Sequence, residues 1–125
     1  MVSPQLRALA AAAAGAGRID LARGPAATVT SGRGEHPVCG DEVEIDVAIE
    51  GGRVADLRWR AKGCPATYAV AAAAHAALVG KKVVDAASCL RAELARLGDL
   101  SPSERHAEAL FCRALAQAIA QASRG

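Results

Sequence analysis

The stretch Asp41–Lys62, DEVEIDVAIEGGRVADLRWRAK, decides the fold because its pattern predicts a single β-hairpin. On both sides of Gly51-Gly52, apolar residues alternate with charged ones, as in two strands that each bury one face. The apolar positions are Val43, Ile45, Val47 and Ile49 in the first run, and Leu57, Trp59 and Ala61 in the second.

The register of this hairpin follows from the same alternation. A two-residue turn would place Ile45 opposite Arg58, so that a core residue would face a charged one. A three-residue turn, Gly51-Gly52-Arg53, with one glycine in the left-handed region, pairs Ile45 with Trp59 instead. The other predicted pairs are Val43 with Ala61, Val47 with Leu57, Asp46 with Arg58, Glu44 with Arg60 and Glu42 with Lys62.

The predicted register brings two cysteines together at the open end of the hairpin. It places Gly40 opposite Cys64, so that Cys39 and Cys64 are expected to lie roughly 4.5–8 Å apart. Asp41 follows Cys39 by two residues, so both side chains point to one face while the strand stays regular. Two thiols and a carboxylate at one end of a hairpin indicate a metal site or thiol chemistry.

The composition limits the remaining possibilities. The chain has 125 residues, a net charge of +2 with both signs mixed, four cysteines and three aromatic residues. We expect one domain, 1–125, in which 1–33 supplies an N-terminal helix and an edge segment. The absence of a basic stripe with aromatics argues against nucleic acid as a partner, and no run is long enough for a membrane span. The few cysteines fit a reducing, cytoplasmic setting.

The remaining segments predict an α+β fold, in which a small antiparallel sheet of about three strands is covered on one face by helices. Residues 27–31 are weakly strand-like and could add an edge strand to the hairpin. Pro65 suits the first turn of a helix, which places Cys64 at a helix N-terminus, where the partial positive charge favours a thiolate. Helices are expected at 4–14, 66–79, 85–97 and, after the capping box Ser101-Pro102-Ser103-Glu104, to about Gln121.

Several motifs together resemble the IscU/NifU-like iron–sulfur cluster assembly scaffolds. They are His36-Pro37-Val38-Cys39-Gly40-Asp41, the hairpin, Lys62-Gly63-Cys64 before an alanine-rich helix, Gly80-Lys81-Lys82 with Asp85-Ala86, and Cys112. The resemblance covers most of the chain and is best from about Gly34 to Ala87. The spacing of the Pro-x-Cys-Gly-Asp and Gly-Cys motifs is its most specific part.

The resemblance implies a ligand set of Cys39, Asp41, Cys64 and Cys112. In the family such a site holds a transient [2Fe–2S] cluster or zinc, accepts sulfur from a cysteine desulfurase and serves recipient apoproteins. On this basis Cys39, Cys64 and Cys112 would bind the cluster through soft thiolates. Asp41 is a harder ligand, so we expect it to keep the cluster labile. The α+β fold expected from the family agrees with the one that the pattern predicts.

The sequence departs from the family around its last cysteine. Many scaffolds have a histidine immediately before that cysteine, whereas this chain has Phe111. The last cysteine usually starts the final helix, but the capping box predicts a helix that begins well before Cys112. Either the helix is broken near Leu110, or Cys112 enters the site from mid-helix.

Two other functions remain open at the level of the sequence. A zinc-dependent sulfur-transfer protein would use the same ligands, with zinc holding the thiolates until one accepts a persulfide. A divergent relative could instead keep the fold and act as an interaction module without metal. We favour the scaffold, which is not an enzyme, and we expect Cys89 to be a structural thiol.

Overall fold

The computed structural model describes residues 15–19, 28–35, 40–63, 65–97 and 102–124. Its secondary structure is β1 (Thr28–Glu35), β2 (Glu42–Glu50), β3 (Arg53–Lys62), α1 (Pro65–Leu78), a 3₁₀ turn (Val83–Asp85), α2 (Ala86–Leu97) and α3 (Pro102–Arg124). The strands form one antiparallel sheet in the order β1-β2-β3. The predicted α+β fold is therefore confirmed, and the helix predicted at 4–14 lies outside the described residues.

The hairpin has the predicted register, but its turn differs from the prediction. Ile45 pairs with Trp59 and Val47 with Leu57. The turn has two residues, Gly51 and Gly52, both with positive φ (61° and 75°), as a type I′ turn requires. The register shifts beside Ala48, which pairs with Asp56 while Ile49 pairs with Val54, so that a β-bulge at Ala55 supplies the extra residue. The three-residue turn was wrong because the bulge restores the pairing of apolar with apolar residues.

Helix α1 is the centre of the core because it is small and apolar on nearly every side. Nine of its fourteen residues are buried, and the run Ala71–Ala74 has no exposed surface. A helix that is apolar all round must be enclosed by other elements. The sheet covers α1 with Val43, Ile45, Val47, Leu57 and Trp59, and the other two helices contribute Leu90, Leu94, Phe111 and Leu115.

Strand β1 has two glycines where α3 crosses it. A side-chain Cβ placed on Gly32 would lie 1.9 Å from the carbonyl oxygen of Ala114, and one placed on Gly34 would lie 2.2 Å from that of Leu110. Both distances are far below van der Waals contact, so the helix backbone occupies the space that any larger residue would need. These glycines set how closely α3 approaches the sheet, and β1 extends past the predicted Ser31 to Glu35.

The outer edge of β1 is covered by polar side chains of α3. The Gln121 side chain accepts a hydrogen bond from the Ser31 N–H (3.2 Å), and that of Gln117 accepts one from the Arg33 N–H (2.7 Å). These bonds satisfy strand groups that would otherwise be open to pairing with another chain. Helix α3 therefore protects this edge as well as the core.

The opposite edge, along β3, is covered by several short segments. Trp59 exchanges backbone hydrogen bonds with Gly15 (3.1 Å) and Gly17 (2.9 Å), which run parallel to it. Next along the strand, the His75 Nδ1–H donates to the Leu57 carbonyl oxygen at 2.6 Å. The connection after α1 continues the cover, because the Val54 N–H donates to the Lys81 carbonyl (2.8 Å). Leu57 and Trp59 therefore have bonded carbonyls on this edge.

Asp46 joins three segments on the sheet face opposite the core. Its carboxylate accepts hydrogen bonds from Arg60 (3.0 Å), the Ser31 hydroxyl (3.0 Å) and the Ile19 N–H (3.1 Å). Burial raises the pKa of Asp46, but these hydrogen bonds outweigh burial and hold that pKa below its usual value. Asp46 thus stays ionised and ties the segment around Ile19 to β1 and β3.

The predicted charge pairs form only in part. Glu44 bonds to Arg60 at 3.4 Å, as the register predicts. Arg58 faces Asp46 across the strands but forms its ion pair with Asp56, two residues earlier on its own strand, at 3.2 Å. The alternation of apolar and charged residues therefore predicted how the strands align. It did not predict every ion pair, because a long charged side chain can contact several neighbouring residues.

The helix predictions are largely confirmed. Helix α1 begins at Pro65 and ends two residues before Gly80, and α2 ends at Leu97. Helix α3 begins at Pro102 and runs without a break to Arg124, which excludes an interruption near Leu110. Among the helices described, none has both the length and the hydrophobicity that crossing a bilayer requires.

Substituting Gly32→Ala tests the close approach of α3 to β1. The new methyl group would collide with the Ala114 carbonyl oxygen, so we expect the free energy of unfolding to fall by about 1–3 kcal/mol. Urea denaturation measures this, with Thr28→Ala, an exposed position on the same strand, as the control expected to change stability by less than about 0.5 kcal/mol. Equal effects of the two substitutions would contradict the close approach.

Candidate functional site

Asp41 is the predicted ligand that the structure describes at the open end of the β2–β3 hairpin. Asp41 directly precedes β2, and Gly63 directly follows β3. Cys39 is two residues before Asp41 and Cys64 is one residue after Gly63. Both cysteines lie outside the described residues, so their predicted separation stays a prediction. Within the described part of the chain, no group of three His, Cys, Asp or Glu residues is arranged to hold a metal ion.

Asp41 and Gly63 are in direct contact across this open end. They continue the register beyond the last paired residues, Glu42 and Lys62. A Cβ placed on Gly63 would lie 2.0 Å from Oδ1 of Asp41 and 2.6 Å from its Cγ. The carboxylate therefore lies directly over Gly63, in the place a side chain would take.

The backbone on either side of the contact is unusual. Gly63 has φ of +132° and Gly40 has φ of +74°, a region that residues with a side chain rarely adopt. Gly63 leads into Cys64, and Pro65 is the first residue of α1. The helix N-terminus carries unsatisfied N–H groups and a partial positive charge, which stabilise a thiolate or an incoming anion.

The flank of the open end has charges of both signs. Glu42 bonds to Arg33 of β1 at 2.6 Å, and Glu44 bonds to Arg60. A hollow of about 210 Å³ on the sheet face is lined by Glu42, Glu44, Arg60, Arg18 and Lys62. Because acidic and basic groups alternate there, the hollow has no strong preference for one sign of ligand.

Cys112, the fourth predicted ligand, borders an apolar groove. It is in the middle of α3, about 200° around the helix from Leu110, whose carbonyl packs on Gly34 of β1. Its surroundings are an apolar groove of about 390 Å³ that includes Val83, Val84, Ala87, Leu115 and Ile119. The Val83 N–H donates to the Gly52 carbonyl at the turn of the hairpin, the end opposite to Asp41. Cys112 therefore lines an apolar groove together with the segment that is hydrogen-bonded to the turn of the hairpin.

The environment of Cys112 favours the neutral thiol. Burial raises the pKa of the Cys112 thiol, and the nearby Glu108 carboxylate raises it further, while Arg91 lowers it slightly. Glu108 and Arg91 approach each other to 3.9 Å. A thiol of this kind is a weak nucleophile until the charge beside it changes.

The other candidate residues have structural roles in the described fold. Cys89 is half-buried and packs against the core, in agreement with the predicted structural thiol. His75, which the sequence places too far from Cys64 to be a ligand, covers the edge of β3. The contact of Asp41 with Gly63 was not predicted. The feature of the sequence that could have indicated it is the glycine directly before Cys64.

Substituting Glu108→Gln is expected to lower the pKa of Cys112, because it removes a negative charge that opposes the thiolate. A decrease of half a pKa unit would increase the thiolate fraction about threefold at a pH below the pKa. The measurement is the rate of iodoacetamide alkylation against pH in a background with the other three cysteines changed to serine. Arg91→Gln is the matched control and should slow the reaction; a change in the same direction for both variants would contradict this account.

The sequence of this chain is similar to those of a known protein family and of two curated proteins. The sequence model of the family described as NifU-like N terminal domain matches residues 16–124. Two proteins of Archaeoglobus fulgidus, the iron–sulfur cluster assembly scaffold proteins IscU 1 and IscU 2, are each 32% identical over 85 residues, which is 67% of this chain. The match spans only 56% of each of these relatives, little more than half their length.

Solved structures share the fold. The N-terminal part of a NifU-like protein from Brucella abortus superimposes with a TM-score of 0.67 at 17% identity, over 97% of this chain and 93% of that one. A putative iron–sulfur cluster assembly scaffold protein for the SUF system from Fervidobacterium islandicum gives 0.57 at 21% identity, over 67% and 57%. Since the family match covers all but the two ends of the chain, this protein belongs to the NifU-like N-terminal domain family of iron–sulfur cluster assembly scaffolds.

Proposed function

We propose that this protein is a scaffold on which a [2Fe–2S] cluster is assembled as cargo and then passed to recipient apoproteins. Cys39, Asp41 and Cys64 form the centre of the site at the open end of the hairpin, and a cysteine desulfurase supplies the sulfur. The protein acts by binding and release and not as an enzyme. Its setting is the cytoplasm, where a reducing environment keeps the thiols free.

The observation that supports this proposal best is the contact between Asp41 and Gly63. It extends the confirmed register to the last residue before Cys64, while Cys39 is two residues before Asp41. The contact supports a site at the open end, because each cysteine is only one or two residues along the chain from Asp41 or Gly63. The donor set also suits the cargo, because thiolates are the ligands that iron–sulfur clusters prefer.

Sulfur transfer follows from the position of Cys64 in the chain. The thiolate, favoured by the N-terminus of α1, attacks the outer sulfur of the persulfide on the desulfurase. A new S–S bond forms on Cys64, the S–S bond of the donor breaks, and the donor cysteine leaves as a thiolate. Gly40, where an added Cβ would meet no described atom within 4 Å, leaves room on its side of the open end for the approach of the desulfurase.

Asp41 gives the site a weaker ligand among stronger ones. A carboxylate is a harder ligand than a thiolate and holds iron of such a cluster less firmly. A scaffold has to release what it assembles, so a labile ligand is an advantage. Asp41 is therefore the residue that we expect to set the lifetime of the assembled cluster.

Cys112, on α3, is the fourth member of the ligand set expected from the sequence. Its groove is shared with Val83 and Val84, and its thiol is held neutral by burial and Glu108. To act as a ligand, Cys112 would have to lose its proton. Substitution of Cys112 therefore separates a site with three protein ligands from one with four.

Anaerobic reconstitution with iron and sulfide tests the proposal. We expect about two irons and two acid-labile sulfides per site in the wild type, and loss of both in Cys39→Ser and Cys64→Ser. Cys89→Ser is the control and should bind the wild-type amounts. Retention of the cluster in Cys112→Ser would leave three protein ligands. Tightly held zinc without sulfide would replace the scaffold with zinc-dependent sulfur transfer, and no metal at all would reject both.

Substituting Asp41→Ala is expected to prolong the lifetime of the reconstituted cluster severalfold, because it removes the weakest ligand. The decay of the visible absorption after transfer to air, or to an apo-ferredoxin as acceptor, measures that lifetime. Asp56→Ala, on β3 and away from the open end, is the control for loss of a carboxylate. An unchanged or shorter lifetime in Asp41→Ala would reject this role.

A further inference from the structure

The Asp41 carboxylate occupies the position that a side chain at residue 63 would take. The Cβ position of Gly63 is 2.0 Å from Oδ1, 2.6 Å from Cγ and 3.0 Å from Cα of Asp41. Separations this short are well inside van der Waals contact, so a side chain and the carboxylate cannot occupy the space together. The space beside the Gly63 backbone is filled by one particular group, the carboxylate of Asp41.

The conformation of Gly63 does not by itself explain this contact. Gly17 has nearly the same backbone angle (φ +127°, against +132° for Gly63), and Gly40 and Gly80 also have positive φ. At those three glycines an added Cβ would meet no atom of the described residues within 4 Å. Two separable requirements therefore act on Gly63: a strained backbone conformation, which it shares with Gly17, and a close approach of Asp41, which it does not share.

We infer that Gly63 is a positioning residue for Asp41. Because Gly63 has no side chain, the Asp41 carboxylate can lie against its backbone, directly before Cys64; we call this position of the carboxylate the seat. The functional consequence of this position rests on the proposed function, in which Asp41 is the ligand expected to limit the lifetime of the cluster. Any side chain at position 63 would push the carboxylate away from this seat. Glycine before Cys64 thus fixes where the weak ligand lies, in addition to letting the chain turn.

A double-mutant cycle on the metal-free, full-length protein tests the seat without any cluster. Gly63→Ala should lower the melting temperature by about 5 °C more than Gly17→Ala, which carries the same strain without the contact. In the Asp41→Ala background most of that excess should disappear, because the carboxylate is no longer there to collide. The carbon-13 chemical shift of the Asp41 carboxyl should also move in Gly63→Ala and stay unchanged in Gly17→Ala.

Equal effects of Gly63→Ala and Gly17→Ala, in both backgrounds, would overturn the inference and leave Gly63 as a turn residue only. If Gly63→Ala does not fold, recovery of folding in Asp41→Ala/Gly63→Ala supports the seat. Failure of both to fold overturns it, because the backbone conformation would then set the requirement alone.

The same variants, reconstituted with iron and sulfide, connect the seat to the cluster. Gly63→Ala should lengthen cluster lifetime in the direction of Asp41→Ala, and the double variant should add nothing further. A cluster in Gly63→Ala that decays at the wild-type rate would overturn the positioning role. A wild type that assembles no cluster would reject the proposed function, while the stability cycle would still decide whether the contact exists.

Discussion

The pairing of Ile45 with Trp59 is the constraint on which the rest of this structure depends. A shift by one residue would turn the apolar face of the hairpin to solvent and remove the surface on which the helices pack. The protein reaches this register through a tight turn of two glycines and a bulge at Ala55. Both ends of the hairpin follow from it, including the juxtaposition of Asp41 and Gly63.

Small residues allow a chain with only three aromatic residues to form a core. The alanines of α1 let the sheet and two other helices enclose it, and Gly32 and Gly34 let the backbone of α3 lie on β1. Many close contacts between small groups replace a few contacts of large side chains. Such a core tolerates few substitutions, because there is no free volume at these contacts for even one added methyl group.

Asp41 and Cys112, the two predicted ligands that the structure describes, have different surroundings. At the open end of the hairpin, the Asp41 carboxylate lies against Gly63, two residues before the start of α1. Around Cys112, apolar residues and Glu108 favour a neutral thiol. We therefore regard the hairpin end as the working part of the proposed site. Cys112, the fourth ligand that the family resemblance implies, lines this groove.

The sequence by itself determined the register, the α+β class and three of the helices, because alternation, proline, glycine and capping signals act over a few residues. It also pointed to Cys39, Asp41 and Cys64 through local motifs. Only the tertiary structure decided the bulge, the ion-pair partners of Asp46, the direction of Cys112 and the seat of Asp41 on Gly63. Each of these depends on contacts between segments far apart in the chain, whose distances no local pattern encodes.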